Sequence, residues 1–233
     1  MQLLLPLYIY LAVTSGAPIW YWSLTFLFYF LYLCIGNNIG LHRLFHHRHF
    51  SVSKPMEYFI AWCSTMACLG SPLSYSTIHV IHHKIPDTEK DPHGPERGWK
   101  SVLFYYHLTP TPDEYMYSKH LAVLLRRWGT LHNYYWPIVF ANAGLIYLLF
   151  GWTALLFCWL IPASLTLWGV AIVLLLQHDA NGPSNTRSYQ WFGFGEAWHK
   201  NHHENPGLVD HPDPGYVDWT YQISRLLCKN PSK

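Results

Sequence analysis

Residues 19–36 have the sequence IWYWSLTFLFYFLYLCIG, and the histidine-rich stretch HRLFHH follows at residues 42–47. The first stretch contains no charged side chain and approaches the roughly 20 apolar residues that a helix needs to cross a bilayer. The second stretch contributes three imidazoles directly after it. This junction predicts a membrane-spanning helix that carries histidine side chains to one face of the membrane.

Three more apolar segments predict further spans. The four predicted spans are residues 2–14, 19–40, 134–150 and 152–177. Ser15 to Pro18 form a turn-like sequence after the first span, and Gly151 separates the last two. We therefore predict an all-α integral membrane protein built from two helical hairpins.

The positions of the basic residues predict the topology. No Lys or Arg precedes Arg43, and none lies between Arg127 and Arg187. With four spans, both basic stretches lie on the same side, which the positive-inside rule assigns to the cytoplasm. The predicted cytoplasmic helical cap consists of residues 42–130 and 178–233. A multi-pass protein of a bacterial inner membrane or an ER-type membrane, with its active site on the cytoplasmic side, is expected.

The composition agrees with one membrane domain over residues 1–233. Only 12% of the residues are charged, against about 25% in soluble domains. The net charge of +2 is too small to predict binding to nucleic acid. Residues 55–70 are apolar over only about 14 positions, which favours an interfacial or buried helix over a span. A span there would place the histidine clusters on opposite sides of the membrane.

Histidines are concentrated in four places at the predicted cytoplasmic face. These are His42, His46 and His47; His79, His82 and His83; His178; and His199, His202 and His203. Positions i, i+3 and i+4 share one face of an α-helix, so each H-x-x-H-H motif presents three imidazoles from one turn. Two such turns that face each other can bind two metal ions through nitrogen ligands. In the first motif, α-helical spacing pairs His46, rather than His47, with His42.

The three motifs and the residues around them resemble the membrane fatty acid desaturases, in particular the Δ9 acyl-CoA and acyl-lipid enzymes of the stearoyl-CoA desaturase type. The resemblance extends from about residue 36 to residue 205. The matching context comprises Arg43 and Leu44; His82, His83 and Lys84 with Asp87, Asp91 to His93, Arg97 and Gly98; Arg126 and Arg127 before Tyr134 to Pro137; and Gly195 to His199. It implies oxygen-dependent desaturation of a long saturated fatty acyl chain at a diiron centre, at the Δ9 position.

The resemblance also implies a ligand set for each iron. One iron would be bound by His42, His47, His79, His83 and His203, and the other by His82, His178, His199 and His202. Within the first motif the family spacing selects His47. Four residues before His178, the family usually has an asparagine that holds a metal-bound water, whereas this chain has Leu174. Gln177 or a water is expected to replace it.

The chemistry accounts for this choice of metal and predicts further residues. Dehydrogenation of an unactivated methylene needs redox chemistry, which iron with O2 provides and zinc does not. Carboxylates are expected to accept hydrogen bonds from the ligand imidazoles. The candidates are Asp87, Glu89, Asp91, Asp179, Glu196 and Glu204, with Glu196 first and Asp91 also preferred. Glu196 fits equally well as a carboxylate at a helix N-terminus, and Asp91 to His93 fit a simple turn.

Helical spacing and charge also predict substrate contacts. Asn38, Ile35 and Cys34 precede His42 by one and two α-helical turns and are expected to line the substrate tunnel, with bulk near residues 30–34 limiting chain length. Ordinary helix packing is the alternative. The cationic candidates for an acyl-CoA or acyl-lipid head group are Lys119, Arg126, Arg127 and Arg187, although the positive-inside bias explains them equally well. A separate electron donor of the cytochrome b5 or ferredoxin type is expected to dock on the cap.

Two other functions remain open. A related membrane diiron hydroxylase or monooxygenase, acting on a lipid or an alkane, shares the histidine motifs. A membrane metal transporter is the second alternative. A transporter needs polar ligands along a path within its spans, whereas these spans contain almost no ionisable residue.

Overall fold

The computed structural model describes residues 1–92, 94, 98–104, 119–179 and 182–228, and this part of the chain is almost entirely helical. A 3₁₀ turn, Gln2–Leu4, leads into α1 (Leu5–Thr14). Helix α2 has an α-helical part, Tyr21–Tyr29, and a π-helical part, Phe30–His47. Next come α3 (Lys54–Met66), α4 (Pro72–Lys84), α5 (Trp99–Phe104) and α6 (Lys119–Asn133).

The second half begins with α7 (Tyr135–Leu155), which a π-helical turn, Leu156–Leu160, joins to α8 (Ile161–Leu176). The two-residue strands β1 (His178–Asp179) and β2 (Gly182–Pro183) form an antiparallel pair. After them come 3₁₀ turns at Arg187–Tyr189 and Glu196–Trp198, α9 (Gln190–Gly193), α10 (His199–Glu204) and α11 (Trp219–Leu227). The predicted helical class is therefore correct, apart from one short strand pair beside His178.

Two helical segments are long and apolar enough to cross a bilayer. They are Tyr21–His47, with 27 residues, and Tyr135–Leu176, with 42 residues. A shorter apolar helix, Gln2–Thr14, precedes them. Helix α3 has 13 residues, or about 20 Å of length, which is short of a bilayer's hydrocarbon core and agrees with the expectation for residues 55–70.

The segment Tyr135–Leu176 folds back on itself at Gly151. This glycine has φ 80° and ψ −179°, outside the helical region. Tyr135 Oη donates a hydrogen bond to the carbonyl of Thr65, and Trp159 Nε1 donates one to the carbonyl of the adjacent Met66. In one straight helix, residues 135 and 159 would lie about 36 Å apart. The chain therefore reverses where the sequence separates the last two apolar segments.

Helix α3 packs tightly against the π-helical part of α2 because two glycines of α2 have no side chain at the contact. A Cβ atom on Gly36 would lie 2.7 Å from the carbonyl carbon of Cys63, and one on Gly40 would lie 2.6 Å from Ser64 Oγ. Ser64 Oγ donates a hydrogen bond to the carbonyl of Gly36 at 2.7 Å. Small residues four apart commonly permit such close approach of apolar helices, and here they hold α2 in place before its histidines.

A buried ion pair ties the end of α2 to the C-terminal segment. Arg43 NH2 donates to Asp218 Oδ2 at 2.7 Å, and both side chains are buried. Arg43 NH1 also donates to the carbonyl of Val209 at 2.9 Å. The other oxygen of Asp218 caps α11 by accepting from the amide of Tyr221 at 2.9 Å. These contacts connect the first histidine motif with the chain that follows the third.

Candidate metal centre

The π-helical geometry of α2 brings His42 and His47 to the same side of the helix. Hydrogen bonds in a π-helix join residues five apart, so side chains at i and i+5 become neighbours. The rings of His42 and His47 have centroids 4.9 Å apart. His46 packs behind them, with its ring centroid 4.4 Å from that of His47 and 4.6 Å from that of His79.

Nine histidines form two groups, each of which can hold a metal ion. The first group contains His42, His47, His79, His83 and His202, and the second contains His82, His178, His199 and His203. Within each group, one ring nitrogen from every histidine lies within 4.8 Å of all the others. His46 belongs to neither group. All nine predicted ligands are thus brought together, in two clusters beside each other.

Helices α4 and α10 divide their histidines in the same way. Each gives the i and i+4 residues of its motif to one group and the i+3 residue to the other: α4 places His79 and His83 in the first group, and α10 places His199 and His203 in the second. At about 100° per residue, positions i and i+4 differ by about 40°, whereas i+3 lies about 100° from i+4. Adjacent histidines therefore point at different ions.

This division corrects the predicted ligand sets. The ligand sets carried over from the resemblance assigned His203 to the first iron and His202 to the second, and the structure exchanges them. His202 Nε2 lies 3.0 Å from both His42 Nε2 and His83 Nε2. His203 Nε2 lies 3.1 Å from His199 Nε2. In α10, as in α4, the i+3 histidine turns away from the group that holds the i and i+4 histidines.

The spacing of the Nε2 atoms suits metal coordination. Neighbouring Nε2 atoms are 2.8 to 3.1 Å apart in both groups. Ligands at right angles around an ion, with metal–nitrogen bonds of about 2.1 Å, lie about 3.0 Å apart. His47 Nε2 is buried and has no hydrogen-bond partner within the described part of the chain. An ion in the first group would satisfy this atom.

Three carboxylates fix the orientation of ligand histidines. The pairs are His42 Nδ1 with Glu196 Oε1 at 3.2 Å, His82 Nδ1 with Asp91 Oδ2 at 2.8 Å, and His178 Nδ1 with Asp87 Oδ1 at 2.8 Å. When Nδ1–H donates to a carboxylate, the Nε2 lone pair remains free for a metal. The lone pairs then face one another across each group, an arrangement that a cation stabilises.

The other carboxylate candidates have different positions. Glu204 is exposed and lies 3.9 Å from Lys200 on the same helix. The side chain of Asp179 lies outside the described residues. Sequence reasoning missed His211, whose Nε2 lies 3.4 Å from His202 Nδ1 in a buried position. No helical spacing relates His211 to the third motif, since an irregular segment separates them.

Four of the histidines in the two groups have pKa values below the usual imidazole range. Burial, followed by the proximity of other histidines, places the pKa values of His79, His199 and His202 well below the usual imidazole range. Burial lowers the pKa of His83 to about 4. Burial also raises the pKa of the Glu196 carboxyl to about 7. Neutral imidazoles are the form that binds metal ions.

A cavity of about 40 Å³ lies against both histidine groups. His42 and His79 of the first group and His82 and His199 of the second line one part of it. Helices α2 and α8 line the rest with Leu33, Asn37, Gly169, Val170, Val173 and Leu174, and Tyr75, Tyr189 and Glu196 complete the wall. The cavity is therefore mostly apolar where it faces the predicted spans, with polar groups near the histidines.

The predicted tunnel residues Cys34, Ile35 and Asn38 are not among the described residues that line this cavity. All three are buried, and Asn38 Nδ2 donates to the carbonyl of Gly193 at 2.8 Å. The prediction used α-helical spacing from His42. In the π-helix, the step of five residues leads to Asn37, and Leu33 lies one turn further. The cavity-facing residues are thus shifted by one position.

The remaining predictions around the site have mixed outcomes. Leu174 lines the cavity, whereas Gln177 is buried and is not among the described lining residues. Arg127 pairs with Glu57 at 2.6 Å, and Arg187 pairs with Asp213 at 3.2 Å. Two of the four head-group candidates therefore already have carboxylate partners. Lys119 and Arg126 are exposed on α6, and His93 and Arg97 lie outside the described residues.

Comparison with known proteins gives a consistent result. The model of the family described as fatty acid desaturase matches residues 16–211. The chain is 31% identical over 216 residues to an sn-1 stearoyl-lipid 9-desaturase of Anabaena variabilis, covering 83% of this chain and 75% of the relative. It is 30% identical to Delta-9 acyl-lipid desaturase 2 of Arabidopsis thaliana, covering 80% and 66%, respectively. It is 28% identical to an acyl-CoA 5-desaturase of Anemone leveillei, covering 88% and 69%.

Proposed function

The chain belongs to the fatty acid desaturase family, and we propose that it is an integral membrane enzyme that forms a Δ9 double bond in an acyl chain of a membrane lipid. As a fatty acid desaturase, it is an oxidoreductase. The observation that carries the proposal is the pair of histidine groups, with nine imidazoles in two clusters beside one apolar cavity.

Each histidine group binds one iron ion in this proposal. His42, His47, His79, His83 and His202 bind the first ion, and His82, His178, His199 and His203 bind the second. Imidazole nitrogens suit iron, and the spacing of the Nε2 atoms fits two coordinated ions. Bound iron supplies the redox chemistry that dehydrogenation of a methylene pair requires.

The overall reaction requires O2 and an external reductant. A –CH2–CH2– unit, O2, two electrons and two protons give –CH=CH– and two molecules of water. The acyl chain loses two electrons and two protons, so the other two electrons come from elsewhere. A separate electron donor of the cytochrome b5 or ferredoxin type, docked on the cap, fills this need.

The chain's own residues position the reacting carbons. Leu33, Val173 and Leu174 contact the methylenes and keep bulk solvent away from them. Asp87 and Asp91 hold the rings of His178 and His82, so that their Nε2 atoms remain directed inward. A fixed relation between the acyl chain and the two groups selects one pair of carbons for reaction.

The acyl carrier in this proposal is a lipid rather than CoA. Two of the three relatives described above act, by their names, on acyl or stearoyl lipids, and one acts on acyl-CoA. An acyl lipid would enter from the bilayer beside α2 and α8. The exposed cations Lys119 and Arg126 are available for its head group or for that of acyl-CoA.

The proposed topology has four spans in two hairpins, with the histidine groups on the cytoplasmic side of a bacterial inner membrane or an ER-type membrane. The reversal at Gly151 supports the second hairpin. The lack of Lys and Arg in both short connections supports the orientation.

Expression in a host that lacks its own desaturase tests the function. The host receives saturated fatty acid, and total fatty acids are analysed by gas chromatography and mass spectrometry. A Δ9-monounsaturated product is expected from the wild-type chain and from Lys200→Ala, which alters an exposed residue of α10. The product should be absent with His202→Ala.

The other outcomes decide between the alternatives. A hydroxylated fatty acid would replace the desaturase proposal by the hydroxylase. No product together with no bound iron would contradict the central claim. Incubation of membranes with labelled acyl-CoA or labelled glycerolipid then separates the two carriers, because the proposal expects direct conversion of the glycerolipid.

A further inference from the structure

One hydrogen bond determines how the side-chain amides of two adjacent asparagines of α2 are oriented. Asn38 Nδ2 donates to the carbonyl of Gly193 at 2.8 Å, so Asn38 Oδ1 faces the other way. That oxygen accepts from Asn37 Nδ2 at 2.9 Å. Both contacts use a side-chain NH2 group as the donor, and a carbonyl oxygen can only accept. The carbonyl oxygen of Asn37 therefore receives no hydrogen bond from these two amides.

The carbonyl oxygen of Asn37 has no hydrogen-bond partner in the described structure. Asn37 is 5% exposed, and its Oδ1 atom is buried. An unpaired buried acceptor is destabilising, and such groups usually have a water or ligand partner. Asn37 lines the cavity that both histidine groups share. The unsatisfied oxygen is therefore in the wall of the site.

The cavity has room for a small hydrogen-bond donor. Its volume is about 40 Å³, and a water molecule needs roughly 10–15 Å³ of such space together with polar partners. Asn37 Oδ1 and Glu196 are polar groups of the cavity wall, and an ion held by the histidines would be a further partner. Water therefore fits both the volume and the polarity.

The two groups differ in the number of side chains that they offer. The first contains five histidines and the second contains four. An ion in the second group therefore has fewer protein ligands. Leu174 of α8 lines the same cavity but cannot form a hydrogen bond.

We propose that the side-chain carbonyl of Asn37 accepts a hydrogen bond from a water in this cavity, and that this water is a further ligand of the ion in the second group. Asn37 is then a positioning residue, which acts on the ion through the water. This role rests on the proposed function, since it requires ions in both groups.

The binding of Co²⁺ to the purified full chain in detergent tests the role without relying on catalysis. Four proteins are compared: wild type, Asn37→Val, Asn37→Val combined with Leu174→Asn, and the control Asn142→Val. The side-chain amide of Asn142 on α7 accepts a hydrogen bond from Trp62 and donates one to the carbonyl of Ile138. Asn142→Val therefore shows how far the loss of any hydrogen-bonded amide from a span changes stability and metal binding. Chelator competition gives the affinity for each ion, the visible spectrum reports coordination, and thermal unfolding of the metal-free proteins reports stability.

The proposal expects Asn37→Val to bind the weaker of the two ions about 10–100-fold less tightly, as is typical when a residue that orients a ligand is lost. The other ion should keep its affinity, and the spectrum of the affected ion should change. Leu174→Asn, at another position in the cavity wall, should restore the affinity, and Asn142→Val should leave both ions unchanged.

Two results would overturn the role of Asn37. Wild-type affinities and spectra in Asn37→Val would do so, as would equal loss of both ions with a lower unfolding temperature of the metal-free protein and no recovery in the double variant. A wild-type chain that bound no Co²⁺ would overturn the proposed metal site as well. Fatty acid analysis of the wild type separates these cases, because product formation supports the function whatever Asn37 does.

Discussion

His42 and His47 are five residues apart in the sequence, and their rings meet edge to face with centroids 4.9 Å apart on α2. In an α-helix, residues five apart point about 140° away from each other. The π-helical hydrogen bonding of Phe30–His47 joins residues five apart and reduces this difference. The conformation of α2 therefore decides which histidine of the first motif faces the metal site.

Substitution of each of the two adjacent histidines tests this relationship. His47→Ala should lower the bound iron from two ions per chain towards one, because it removes a nitrogen of the first group. His46→Ala should retain both ions, because His46 belongs to neither group. Iron content of the purified proteins checks the expectation, and the reverse pattern would show that α2 is α-helical here.

Removal of the Asp91 carboxylate should weaken the second group. Asp91 is fully buried, and its Oδ2 accepts from His82 Nδ1 at 2.8 Å and from the amide of Asp87 at 3.0 Å. Asp91→Ala is expected to lower affinity for one ion by about 10–100-fold. Glu204→Ala is the control, because Glu204 is exposed. Dialysis against graded chelator followed by iron analysis measures the difference, and equal iron retention in both variants would contradict it.

Asp218→Ala should destabilise the fold. It leaves Arg43 buried without its carboxylate partner and removes the cap of α11. Breaking a buried pair from one side typically costs about 3–5 kcal/mol. Arg187→Ala breaks an exposed pair with Asp213 and should cost about 0–1 kcal/mol. Unfolding in detergent gives both values, and similar losses in the two variants would show that burial of the Arg43 pair is unimportant.

Gly169→Leu should block the reaction while leaving the metal site intact. Gly169 lines the cavity, and a Cβ atom added there would lie 3.3 Å from Tyr189 Oη and 3.4 Å from Leu33 Cδ2. A leucine would occupy the space assigned to the methylenes. Desaturation in cells should be lost with normal iron content. Gly144→Leu is the control because nothing lies within 4 Å of a Cβ at that position; wild-type activity in Gly169→Leu would place the acyl chain elsewhere.

Several features of the fold follow from local sequence. Apolar segments with a glycine between them predicted the reversal at Gly151, whose positive φ does not continue a helix. The short apolar segment at 55–70 predicted a helix that does not span, and α3 has 13 residues. The length and hydropathy of a segment are properties of that segment alone, so both can be determined from the sequence.

The identity of the residues that face the cavity did not follow from local sequence. A prediction based on 3.6 residues per turn pointed to Asn38, Ile35 and Cys34, whereas Asn37 and Leu33 line the cavity. The close approach of α3 at Gly36 and Gly40 accompanies the wider π-helical turns of α2. The conformation of α2 thus differs from the regular helix that the prediction assumed.

The sequence by itself determined that this protein is helical, has long apolar segments and concentrates histidines in motifs near their ends, because hydropathy and motif spacing are properties of the chain. Only the tertiary structure decided which group His202 and His203 each belong to, that His211 contacts His202, and that Asn37 lines the shared cavity. Those relations depend on the rotation of α2, α4 and α10 about their axes. Packing between distant segments sets these rotations, so residue spacing within one segment does not determine them.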